Sequence, residues 1–241
     1  MNLDKLIKTT RSGKPPRIVL HGVHGVGKST WASQAPDPIF IITEDGLTSI
    51  DVPHFPLCTT LAEVFEYMTG LIEQKHAYKT LVIDTADWLE KLIWTKICED
   101  ANQDNIEAFG YGKGYTIAMK QWDRFFKGLE VLRDKGMAIV VLAHNEIKAY
   151  NPPDTDPYDR FQIKLHKHAA TKLEEWADVV LFANFKVYVD TEKGKGKAAL
   201  STPERVIYST NCPAWKAKTR YKLPDTLEMD FGKLLKEIKN G

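Results

Sequence analysis

Cysteine is scarce in this chain. Only Cys58, Cys98 and Cys212 occur among 241 residues, and no two stand in a CxxC spacing. A disulfide framework and a thiolate zinc site are therefore excluded as organising features, and a reducing cytoplasm is the expected setting. Long apolar runs are missing too. Stretches such as AIVVLA at 138–143 are far too short to cross a bilayer, so no membrane association is expected. The opening MNLDKLIKTTRSGKPPR has neither the apolar core nor the small-residue cleavage site of a secretory signal. No repeat of fixed period is visible. A charge excess of one sign is absent overall, since 33 Lys/Arg against 32 Asp/Glu leave a net +1. The balance is uneven along the chain, however. Residues 186–222 carry nine Lys/Arg against three Asp/Glu and the rest 24 against 29, which places +6 on one segment and −5 elsewhere. Such a local excess can attract a polyanion although the whole chain is nearly neutral, and it can equally be a solvated basic face.

What is present is an α/β alternation. Hydrophobic residues make up 43% and charged residues 27%, and the length suits one sizeable core. RIVLHG (17–22), PIFIITE (38–44), TLVID (80–84), AIVVLAH (138–144) and DVVLFA (178–183) read as five strands. Between them, apolar residues recur at helical spacing: Leu61, Val64, Phe65, Met68 and Leu71, then Leu89, Leu92, Ile93 and Ile97, then Trp122, Phe125, Phe126, Leu129 and Leu132. These stripes read as core packing. Alternation of this kind predicts a mainly parallel central sheet flanked by helices. Beyond Ala183 the segments FKVYV and RVIYS, joined by a Lys/Gly-rich connection, predict a C-terminal antiparallel hairpin with a basic tip at 193–197. The expected organisation is an N-terminal extension, 1–16, and one domain, 17–241. Residues 101–116 and 150–168, rich in Gly, Pro and Asp, read as long loops.

One stretch carries clear chemistry. HGVHGVGKST, His21 to Thr30, fits G-x-x-x-x-G-K-[ST] through Gly22, Gly27, Lys28 and Ser29, and it stands between a predicted strand and a predicted helix. Glycines let the backbone curl so that successive N–H groups face phosphate oxygens, the lysine brings a positive charge to the β and γ phosphates, and the serine hydroxyl ligates Mg²⁺. The expected nucleotide-binding residues are Gly22, Val23, His24, Gly25, Val26, Gly27, Lys28, Ser29 and Thr30. Asp84, closing an apolar strand, is the expected second magnesium residue beside Ser29. The guanine-reading N/T-K-x-D pattern is absent, so the expected ligands are ATP and Mg²⁺.

Hydrolysis also needs a carboxylate that orients or deprotonates water. Ring ATPases of the AAA+ type generally set a glutamate directly after the metal-binding aspartate, but Thr85 and Ala86 occupy those positions here. An acid instead closes the second strand, in IFIITEDG, making Glu44 the candidate general base with Asp45 behind it. This arrangement resembles the RecA-like P-loop ATPases, which include RecA recombinases and DnaB-type helicases. On that resemblance His144 or Asn145, ending AIVVLAHNE, is a γ-phosphate sensor. Lys218 and Arg220 in AWKAKTRYKLP resemble the Lys-x-Arg pair that reaches a neighbouring subunit's nucleotide, so His144, Lys218 and Arg220 join Lys28 and Glu44 as catalytic candidates. The motifs span residues 17–224 and look like phage-encoded single-strand annealing or recombination ATPases. The resemblance implies a RecA-like fold in bacterial or phage-infected cytoplasm, self-assembly as a ring or filament, binding to single-stranded DNA and a possible single-strand DNA-binding protein as partner. DNA contacts are expected in FGYGKGY (Phe109, Tyr111, Lys113, Tyr115), in DRFQIKLHKH (Arg160, Phe161, Lys164, Lys167) or at the basic tip. Two other readings stay open: a non-catalytic or weakly catalytic ATP-binding assembly module, such as a helicase loader or packaging accessory, and a P-loop kinase, for which no Arg-rich lid is evident.

Overall fold

The computed structural model describes residues 13–190 and 198–240. The basic tip at 193–197 and most of the N-terminal extension lie outside them. Five parallel strands form the centre: β1 (Arg17–Gly22), β2 (Pro38–Ile42), β3 (Thr80–Asp84), β4 (Ala138–Tyr150) and β6 (Val179–Asp190), in the spatial order β2-β3-β4-β1-β6. Strand β7 (Ala198–Tyr208) adds antiparallel to β6, and the short β9 (Thr226–Leu227) adds antiparallel to β7. The expected mainly parallel sheet with an antiparallel hairpin is what forms.

Strand alternation divides the apolar residues between two faces. Val19, Ile41, Leu81, Ile83, Ile139 and Val141 face one core, which is completed by α2 (Leu61–Glu73), α3 (Ala86–Asp100), α4 (Lys113–Asp134) and α5 (Lys167–Trp176). Ile18, Leu20, Phe40, Val82, Val140, Leu142 and Leu181 face the other, covered by α1 (Lys28–Ala32) and α6 (Phe231–Asn240). Both faces are buried, which is why these strands read as continuous apolar runs. The helical stripes bury the expected side chains, with Trp122, Phe125, Leu129 and Leu132 of α4 fully enclosed. Helix α2 starts on a reciprocal capping box in which Thr60 accepts from the Glu63 N–H and the Glu63 carboxylate accepts from the Thr60 N–H.

About half of each expected loop is regular structure. Residues 101–116 contain a 3-10 turn, Ile106–Phe109, and the start of α4, which opens on Gly112 at φ +70. Lys113 and Tyr115 are therefore helical rather than loop residues. Tyr115 is fixed by a hydrogen bond to the Glu107 carboxylate and stacks on His166 at 3.9 Å. Within 150–168, strand β5 (Tyr158–Ile163) pairs antiparallel with the outer half of β4, from Asn145↔Ile163 to Tyr150↔Tyr158. Strand β4 thus runs well past the sheet and turns back as a hairpin. The Pro/Asp-rich segment that suggested a long loop is only its turn.

Candidate nucleotide site

The glycine loop leaves β1 at the C-terminal edge of the parallel sheet, where crossover connections leave a crevice. Gly22 is required by packing, since a Cβ there would stand 2.3 Å from the Ala183 carbonyl oxygen on β6. Gly25 at φ +73 and Gly27 at φ +93 take the left-handed conformation that glycine tolerates and that curls the loop. Val26 turns inward and is fully buried, anchoring the loop to the α1/α6 core.

Lys28 is 7% exposed, and its Nζ donates to the Gly22 and Val23 carbonyls, both at 3.2 Å. Burial lowers its pKa, opposed by the nearby carboxylates of Asp84, Asp87 and Glu44. The Ser29 hydroxyl donates to Asp84 Oδ2 at 2.6 Å, and burial raises the Asp84 carboxyl against that hydrogen bond. An alcohol and a carboxylate on adjacent elements, beside a loop built from left-handed glycines, are the hard oxygen donors that Mg²⁺ takes together with phosphate, so these residues fit a magnesium–triphosphate ligand. Thr30 lines the same cavity, whose volume is about 370 Å³. A hollow of about 510 Å³ between α2 and α4 is larger but contains no phosphate loop.

Across the crevice, the ends of β2 and β3 are locked together. The Thr43 hydroxyl donates to the Thr85 carbonyl at 2.8 Å, and the Thr85 N–H donates to Thr43 Oγ1 at 2.9 Å. The Asp84–Thr85 peptide is cis. This clasp places Glu44 at the cavity wall, where the Thr85 hydroxyl donates to Oε2 at 3.4 Å and His144 Nδ1 stands 3.7 Å from it. His144 is buried, stacks on His24 of the glycine loop at 3.9 Å, and is gripped by Asp87. Asp87 accepts from the His144 N–H at 3.0 Å through Oδ1, and its Oδ2 lies 3.0 Å from Nδ1. Burial pushes the Asp87 carboxyl up, but the hydrogen bonds from His144 outweigh it and hold the pKa below the ordinary carboxylate value.

Lys28, Ser29, Asp84, Glu44 and His144 therefore converge with His24, Gly25, Gly27 and Thr30 of the loop, whereas Gly22, Val23 and Val26 do not line the cavity and Val26 packs into the core instead. Asn145, the alternative sensor, does not line the cavity, and neither does Asp45. Lys218 and Arg220 lie at the other edge of the sheet. Strand β8 (Lys218–Thr219) pairs with Val180 and Val179 at the start of β6, whereas Gly22 is level with Ala183. Lys218 Nζ donates to the carbonyls of Glu174, Glu175 and Ala177, which closes the C-terminus of α5, and Arg220 pairs with Asp178 at 3.1 Å. Within one chain they do not reach the site. Two residues here escaped sequence reading. Asp87 sits in the first turn of α3, three residues past Asp84, a position that only the packing of α3 against β4 makes functional. Arg205 of β7 also lines the cavity and carries no motif.

A family model described as an AAA domain matches residues 14–221, so the chain belongs to that family of P-loop ATPases. No curated protein matches it.

Proposed function

We propose that this chain is a Mg²⁺-dependent ATP hydrolase of RecA-like type that works as an oligomer on single-stranded DNA, in phage-type recombination or annealing. The convergence of Glu44 and His144 on a cavity floored by Lys28, Ser29 and Asp84 supports hydrolysis most directly. Ser29 and Asp84 would hold Mg²⁺, which would supply neutralisation of the phosphate charge. Lys28 is held in the loop where the β and γ phosphates belong, ready to exchange its carbonyl partners for phosphate oxygens. Glu44, steadied by Thr85, orients a water and takes its proton as the γ-phosphate is attacked. His144, fixed by Asp87, reports on the terminal phosphate.

The β4–β5 hairpin supports the DNA reading, because it continues the strand that carries His144. Its outer half exposes Ile147 at 60% and leaves Tyr150 and Tyr158 edge to face at 5.5 Å, aromatic surfaces of the kind on which bases stack. Tyr111, just before α4, is also fully exposed. Arg160 and Phe161 do not serve this purpose. Arg160 is buried and donates to Asn211 and to the Cys212 and Trp215 carbonyls, while Phe161 stacks on Phe182. The contribution of Lys218 and Arg220 falls between copies, where a neighbour's nucleotide would draw them from their present partners.

Phosphate release measured with and without single-stranded DNA, over a range of protein concentrations, tests the whole reading. Stimulation by DNA and a steep rise of specific activity with concentration are expected. Turnover indifferent to both would remove the DNA and the assembly. Turnover that needs a phosphate acceptor would make the chain a kinase, and ATP binding without turnover would make it an assembly module.

A further inference from the structure

We propose that Arg205 is a nucleotide-binding residue supplied by the same chain, clamping the phosphates that ATP and ADP share from the flank opposite the magnesium residues. This inference rests on the nucleotide reading above and adds a contact that none of the motifs contains.

The register across the sheet places Arg205 there. Gly22 of β1 is level with Ala183 of β6, and Ala183 is level with Ile207 of β7. Since β7 runs antiparallel, stepping back from Ile207 to Arg205 moves about 7 Å beyond that row, towards the edge from which the glycine loop springs. Residues two apart share a face, and Ile207 is buried in the α1/α6 core, so Arg205 projects on the face that carries α1. Its guanidinium lies against the loop, with Nη1 2.8 Å from where a Cβ on Gly27 would be. The pairing of β6 with β7 is irregular at this point. Phe185 opposes Arg205 and Val187 opposes Ser201, so three residues of β7, Pro203 among them, stand against one of β6. A bulge of this kind bends a strand and re-aims the neighbouring side chain.

The charge of Arg205 is not spent elsewhere. Neighbouring Glu204 pairs with Lys186 at 3.1 Å, and no hydrogen bond or ion pair engages the Arg205 guanidinium among the described residues. Lys216, Lys218 and Arg220 differ: each is bonded to carbonyls or carboxylates at or just after the α5 end. A planar guanidinium facing a phosphate loop is suited to two parallel hydrogen bonds with phosphate oxygens. The flank decides which phosphates. Asp84, Glu44 and His144 come from β3, β2 and β4, on one side of β1, and would surround the metal and the terminal phosphate. Arg205 comes from β7 on the other side, two strands away. Its reach falls on the part of the ligand that remains after the terminal phosphate has gone.

Equilibrium titration of the full chain with Mg²⁺-ADP and with a non-hydrolysable Mg²⁺-ATP analogue tests this, using wild type, Arg205→Ala and Arg205→Lys. Arg205→Ala should weaken both nucleotides by the same factor, about tenfold or more, and Arg205→Lys should restore part of the loss. The thermal midpoint without nucleotide should stay put, because the side chain is exposed and unbonded. Wild-type affinity in Arg205→Ala would overturn the proposal, and loss confined to the ATP analogue would overturn the placement on the shared phosphates. A wild-type protein that binds neither nucleotide would overturn the nucleotide reading along with it.

Discussion

Two buried ionisable side chains near the site carry opposite pH dependences. Glu90 of α3 is 5% exposed and accepts from the His166 N–H at 2.9 Å, and burial raises its pKa to about 7. A carboxyl whose pKa rises on folding contributes its full stability below the unfolded value near 4.5 and loses it as the pH climbs through about 7. Over that window the cost accumulates to about 3 kcal/mol. Glu90→Gln keeps an acceptor for His166 but cannot ionise, so it should raise stability at pH 8 by about 2–3 kcal/mol and leave it nearly unchanged at pH 4. Urea unfolding at the two pH values measures the difference, and equal shifts at both would contradict the assignment. His21 runs the other way. Burial lowers its pKa to about 4, so stability tied to it is lost as the pH falls from 6.5 towards 4. Of the residues that matter, those whose meaning is local were legible in the sequence. The glycine loop, Lys28, Ser29 and Asp84 announce themselves by spacing, and Glu44 by its position after a strand. Asp87, Glu90 and Arg205 were not legible, because each acquires its role from an element distant in sequence: Asp87 from His144, Glu90 from His166, and Arg205 from the β6–β7 register.

The five core strands were recognisable because burial on both faces leaves an unbroken β-branched run, and the helices because their stripes are long. The β4–β5 hairpin was hidden by its composition. The outer end of β4 is exposed and β5 is mostly half-buried, so no apolar alternation marks them, and Pro152, Pro153 and Pro157 dominate the stretch. Helix α5 likewise shows only a sparse buried stripe, Ala169 and Leu173. At the N-terminal edge of the sheet, one carboxylate holds several elements together. Asp178, before β6, accepts from the Arg17 N–H and guanidinium on β1, from Arg133 on α4 and from Arg220 beyond β8. Those bonds hold its pKa below the ordinary value against the effect of burial. Removing one partner from a buried ionic cluster leaves the others uncompensated, so Asp178→Ala should destabilise the protein by about 3–5 kcal/mol. A change below about 1 kcal/mol in chemical denaturation would show that water or another acid compensates. Within the chain Lys218 closes α5 and Arg220 binds Asp178, whether or not a second copy later engages them.

For the molecule as a whole, the sheet order and the glycine loop define a P-loop NTPase, and the family match places it among AAA-domain ATPases. Among the described residues no helix is long and apolar enough to cross a membrane. The site has two sides, one carrying Glu44, Asp84 and His144 from the ends of β2, β3 and β4 and one carrying Arg205 from β7, with the phosphate loop between them. The proposed hydrolysis of ATP with Glu44 as the base is tested by the rate of phosphate release at saturating ATP in Glu44→Gln, with Lys28→Ala as the variant that should not bind nucleotide. Glu44→Gln should bind ATP within a few-fold of wild type and release phosphate at least about a hundredfold more slowly. Wild-type release from Glu44→Gln would remove Glu44 from the role of base.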